Sequence, residues 1–217
     1  MVFSLFRSGK PSLKLLPRQE VELRYETASG EREYAFVRVR EVGKKKISME
    51  PSGQRSALRL VPGQPVTVSA LVDNTLFSYD ASVLDARDKE FDLNPPKEVE
   101  DTAVPAAGDD TRLQATLPVK YRAMKMPNIQ VAETQAVTPQ GLFLLTNMPI
   151  PPNMDLHLEV TIPASGAEIS FRARTLTSNK PPDARKAITE VEFVEIDEKD
   201  KAVLMRSAIY QHYRKKD

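Results

Sequence analysis

Apolar and polar residues alternate along residues 156–162, with Leu156, Leu158, Val160 and Ile162 on one side and His157, Glu159 and Thr161 on the other. That two-residue period is the mark of a strand with one buried face. Residues 169–174 repeat it after Ser165-Gly166, a turn-forming pair, so the two runs read as a hairpin. Further runs of the same kind fall at 21–25, 34–42, 47–49, 66–72, 76–84, 117–124, 141–145 and 188–193. They draw on Val, Ile, Thr, Phe and Tyr, which suit a pleated surface. Seventeen prolines against eight glycines punctuate the chain between these runs. Proline is confined to strand ends, edges and turns, so its placement supports many short strands.

A single helix is predicted near the end of the chain. Asp197 is placed as its N-cap, Asp200 follows three residues on, and Ala202, Met205, Ile209 and Tyr213 form a stripe near the helical period. Lys215 and Lys216 stand where cations complement the helix dipole. Between Pro95 and Arg112 the chain has few large apolar residues, three prolines, one glycine and five carboxylates, the make-up of an exposed linker. The expected organisation is therefore an N-terminal β unit over 1–96, a linker over 97–112, and a C-terminal β unit with a closing helix over 113–217. Many short strands in each unit predict a mainly β protein of two small antiparallel β-barrels, since closure removes exposed sheet edges.

Charge and composition narrow the chemistry. The 31 basic and 30 acidic side chains among 217 residues leave a net charge of +1, which argues against a protein that coats a nucleic-acid polymer. With no cysteine and only His157 and His212, thiolate catalysis, Cys-ligated metals and a His-rich metal site are excluded. Glu190 and Glu192 share a strand face and read as solvated surface; Gly53 and Gly63 stand singly and read as turns. Met124 and Met126 read as core packing. Lys44, Lys45 and Lys46 follow Gly43 and read as a turn tip. No enzyme, cofactor or metal is expected. No apolar run approaches the roughly 20 residues that span a bilayer, so a cytoplasmic protein is expected. An apolar-basic segment, Phe3, Leu5, Phe6, Arg7, Lys10 and Lys14, leaves open a membrane-surface adaptor, although a packed or frayed terminus is the expected state.

Residues 112–121 (RLQATLPVKY), 136–144 (AVTPQGLFL) and 188–196 (ITEVEFVEI) with the following helix resemble, in order, the segments of a PilZ domain, the bacterial receptor module for cyclic di-GMP. Residues 23–40, 47–51, 60–68, 81–87 and 91–98 resemble the domain that precedes PilZ in flagellar-brake (YcgR-type) proteins. The resemblance implies a non-enzymatic regulator acting through protein contacts with motility or envelope machinery. It also implies a ligand motif, R-x-x-x-R, whose guanidinium groups wrap the dinucleotide. Here Arg112 holds the second position, but Gly108 stands at the first, with Asp109 and Asp110 between them. Ala136 replaces the acidic or amide residue of the second motif, Thr138 replaces its serine, and Gly141 is kept. Each lost charge-assisted bond costs about 1.5–3 kcal/mol, so two losses weaken binding by orders of magnitude. Arg87, Lys97 and Arg122 are the candidates to replace the missing guanidinium. The expectation is weak or no cyclic di-GMP binding; a functional receptor whose ligand orders the linker is the second reading.

Overall fold

The computed structural model describes residues 13, 15–53, 58–87, 89–106, 108, 110–124 and 127–214. The membrane-adaptor candidates Phe3 to Lys14, together with Asp109, Met126, Lys215 and Lys216, lie outside the described residues. The chain divides into two compact units, 1–104 and 105–217.

In the first unit the strands are β1 (Glu20–Glu26), β2 (Arg32–Val42), β3 (Ile47–Pro51), β4 (Pro65–Val72), β5 (Thr75–Arg87), β6 (Glu90–Leu93) and β7 (Glu100–Ala103). They pair in the order β4-β1-β2-β3-β6-β5, and β4 also pairs with β5, which closes the barrel. Every pairing is antiparallel. Alternate residues point inward, so Val21, Leu23, Val37, Val39, Ile47, Met49, Val68 and Leu93 meet in one core. Burial of each such aliphatic side chain contributes about 1.5–3 kcal/mol. The Gly43 N–H donates to Lys46 O at 2.9 Å, forming the expected turn with Lys44 and Lys45 at its tip. Lys46 instead reaches back, its Nζ 2.8 Å from Asp92.

Within the same core the Tyr79 hydroxyl is buried without a hydrogen-bond partner among the described residues. Burial alone pushes its pKa far up, because a phenolate there would be desolvated. Tyr79→Phe removes the orphaned hydroxyl and is expected to stabilise this barrel by about 1 kcal/mol in urea denaturation.

The second unit contains β8 (Leu113–Gln114), β9 (Pro118–Ala123), β10 (Gln130–Val137), β11 (Gly141–Thr146), β12 (Asp155–Ile162), β13 (Ala167–Asn179) and β14 (Ala187–Glu195), then α1 (Glu198–Tyr213). The order β11-β14-β13-β12-β9-β10 closes through β10–β11, with β8 added beside β10. The two-barrel architecture with a closing helix is thus as the sequence predicts, and the β12–β13 hairpin turns at Gly166, whose φ is +70°.

Four details differ. Strand β10 had no counterpart among the predicted runs, because its inward residues ahead of the bulge, Ala132 and Thr134, are small and give little hydropathy contrast. Strand β7 lies inside the segment read as linker; it is wholly exposed and is held by main-chain pairing to β5 rather than by burial. Met124 is not core: it is 51% exposed, just past the end of β9. The helix is capped by Asp197 as expected, its carboxylate accepting from Lys199 N–H at 2.8 Å. Its buried residues, however, are Leu204, Ser207, Ala208 and Tyr210, while Ala202 is exposed and Met205, Ile209 and Tyr213 are half-buried. The end of the helix is tied to β8 and the residues after it: Gln114 N–H donates to His212 Nδ1 at 2.8 Å and Thr116 N–H to Gln211 Oε1 at 2.9 Å.

Candidate functional site

The motif positions of the second unit gather around the start of β11. Thr138 and Gly141 close a tight turn between β10 and β11, in which Thr138 N–H donates to Gly141 O at 2.9 Å. The Thr138 hydroxyl accepts from Gly141 N–H at 2.9 Å and from Gln140 N–H at 3.3 Å, and donates to Gly141 O at 3.1 Å. A hydroxyl has one proton to give and two lone pairs to offer, so these contacts use its full capacity. Thr138 is a turn staple of the kind Ser and Thr form locally.

Gly141 has an equally structural role. A Cβ at this position would stand 1.8 Å from the Val191 carbonyl oxygen, because β11 and β14 approach closely where Gly141 faces Glu192. Ala136 pairs with Phe143 on one side and Gln114 on the other, across a bulge that follows Thr134. Cross-strand partners share a face, so Ala136 lies on the outward face with Phe143, yet it is only 2% exposed. The Ala136 side chain itself offers neither donor nor acceptor.

Ahead of β8, Gly108 N–H donates to Thr111 Oγ1 at 2.8 Å, and Thr111 N–H donates to Gly108 O at 2.9 Å, making a turn. The space where a Gly108 side chain would project is open. Arg112 follows, with its guanidinium carbon 3.6 Å from the centre of the Phe143 ring. That stacking is worth about 0.5–1 kcal/mol at an exposed position. Phe143 was not singled out from the sequence; its place two residues beyond Gly141, on the same strand face, was the available signal. Two carboxylates border the same surface, Glu190 opposite Phe143 and Glu192 opposite Gly141. Glu190 accepts from Thr177 Oγ1 at 3.2 Å.

The candidate substitutes for the missing guanidinium differ in their engagement. Arg87 is tied to Asp85 at 2.9 Å and Glu90 at 2.6 Å. Hydrogen bonding to Asp85, then its charge and that of Glu90, raises the Arg87 pKa further. Lys97 is exposed in the first unit. Arg122 sits on β9 opposite His157, whereas β9 meets β10 only at 130–133, so Arg122 is not beside Ala136. His157 is half-buried on the outward face. Among the described residues no cluster of His, Asp and Glu is arranged to hold a metal ion, and no helix is long and apolar enough to cross a membrane.

The surface can therefore present one stacked guanidinium, an aromatic face beneath it and two neighbouring carboxylates. The chain as a whole is similar in fold to Escherichia coli YcgR in complex with c-di-GMP. That likeness has 11% identity and a TM-score of 0.36, covering 89% of this chain and 84% of that one. The Bacillus subtilis inhibitor of motility MotI/DgrA is similar at 15% identity and a TM-score of 0.43, covering 94% of this chain and 100% of that one. K. pneumonia MrkH in its apo state is similar at 12% identity and a TM-score of 0.41, covering 92% and 90%. The sequence matches no protein-family profile, and no curated protein matches it.

Proposed function

We propose that the chain is a non-enzymatic regulatory protein of the PilZ flagellar-brake type that works through protein contacts in motility or surface-attachment control, with cyclic di-GMP binding weak or lost. The observation that carries this reading is the state of the motif surface. Thr138 has no hydrogen-bonding capacity left over, Ala136 offers none, and Arg112 rests on Phe143 beside Glu190. A ligand with two phosphates would meet one guanidinium and two carboxylates, an unfavourable electrostatic match. The ordered resemblance of both units to flagellar-brake segments supports the regulatory role, and a cytoplasmic setting goes with it.

Isothermal titration of cyclic di-GMP into the full chain at moderate salt tests the ligand part. No heat of binding is expected up to about 1 mM ligand, a threshold equal to roughly −4 kcal/mol. Micromolar binding would overturn this reading and restore the receptor, in which the ligand orders the interdomain linker. Arg112→Ala tests the regulatory part: swimming or attachment phenotypes of the expressed protein are expected to be unchanged, and loss of a nucleotide response would contradict it.

A further inference from the structure

The second barrel closes through the β10–β11 pairing, but that seam is incomplete. Register between β10 and β11 begins only at Glu133 opposite Leu145, whereas β9 already covers β10 from Gln130. On the β11 side, the first residues of β10 pair with no strand among the described residues. Strand backbone groups alternate in direction from one residue to the next. Thr134 N–H donates to Leu117 O at 2.9 Å, toward the β9 side, so Ala132 and Gln130 point their main-chain groups that way as well. Val131, and Ile129 just ahead of the strand, point theirs to the open side.

Chemistry at this edge favours pairing. Residues 127–131 are all exposed, with Ile129 at 64% and Val131 at 66%; Met148, at 68%, lies just past the end of β11. The segment Asn128-Ile129-Gln130-Val131-Ala132 carries no charge and no proline. Open edges are ordinarily protected by lysine, proline, bulges or a covering segment; here Pro127 stands ahead of the segment, and within it no charge protects the edge.

We propose that this edge is a self-association surface on which a second copy of the chain adds the same segment in antiparallel register, with a two-fold axis at Gln130. In that register Ile129 stands opposite Val131 of the second copy, twice, and each pair exchanges both of its N–H···O=C bonds. The aliphatic side chains then cover one another, and no like charges are brought together within the paired segment. The contact is short, well below the size of a standard stable interface, so the dimer is a weak, concentration-dependent one.

The cysteine-free sequence makes the test direct. Gln130→Cys places its only thiol on the two-fold axis, in a non-hydrogen-bonded pair with Cα atoms about 4.5 Å apart, inside the range a disulfide spans. Mild oxidation of the full chain is expected to yield covalent dimer several-fold faster than for Leu84→Cys, an exposed control in the first barrel. Sedimentation equilibrium of the wild type between micromolar and millimolar protein is expected to show a monomer–dimer equilibrium that Val131→Lys abolishes while circular dichroism stays unchanged. A wild type that remains monomeric, a dimer that Val131→Lys leaves intact, or cross-linking no faster than the control would each overturn the proposal.

Discussion

Gly141→Ala is expected to destabilise the second barrel by at least about 3 kcal/mol, among the larger effects of any single substitution in the chain. The reason is geometric. The added methyl would stand 1.8 Å from the Val191 carbonyl oxygen and 2.9 Å from its carbon. Both are backbone atoms of a strand paired along its length with β11 and β13, so neither moves without breaking ladder bonds. Urea denaturation of the full chain reads the effect as an early transition of the second unit. Gly108→Ala is the control: open space surrounds that position, and its effect is expected to stay within about 0.5 kcal/mol. Equal stability of the two variants would mean that β11 and β14 do not approach as described. The pair of results also separates two kinds of glycine, one demanded by packing and one in open space.

Thr134→Val is expected to cost about 2–4 kcal/mol, although it conserves volume. Thr134 is fully buried, with Ala132 and Leu144 buried beside it. Its Oγ1 accepts from Leu117 N–H at 2.9 Å and donates to Ala115 O, linking β10 to the segment between β8 and β9. The Ala115 N–H bonds elsewhere, to Gln135 O at 3.3 Å, so the hydroxyl serves groups that nothing else in that contact replaces. Valine would leave a buried N–H and a buried C=O without this partner, and the desolvation of each stays uncompensated. Thr134→Ser keeps the hydroxyl and is expected to recover most of the loss in the same denaturation experiment. A valine variant as stable as wild type would rule out this bridge as a stabilising element.

Thr134 and Thr138 also explain how much of the candidate site was legible. Both are threonines on or beside β10, and the sequence alone treats them alike. One bridges two strand segments inside the barrel and the other staples a surface turn, and neither offers a hydroxyl to a ligand. That Gly108 and Ala136 carry no hydrogen-bonding side chain could be read directly, because a side chain's donors follow from its identity. The stacking of Arg112 on Phe143 could not, nor the flanking by Glu190 and Glu192. Those contacts depend on which residue of β14 lies opposite which residue of β11.

The same division runs through the fold. Strands with large inward aliphatics, such as β12, and turns such as that at Gly166 follow from local chemistry: a two-residue pleat, proline exclusion and a residue that tolerates positive φ. The Asp197 cap likewise needs only its own neighbours. Strand β8, two residues long, exists only because β10 lies beside it, and the end of α1 is held by main-chain donors of Gln114 and Thr116, distant in sequence. By itself the sequence determined two β-rich units, most of their strands and the final helix, all properties of short windows of chain. Tertiary structure alone decided which strands close each barrel and in what register, the helix face that is buried, the neighbours of Arg112 and the start of β10 that no described strand pairs with on the β11 side. These arise from pairings between distant residues, whose register no local window contains.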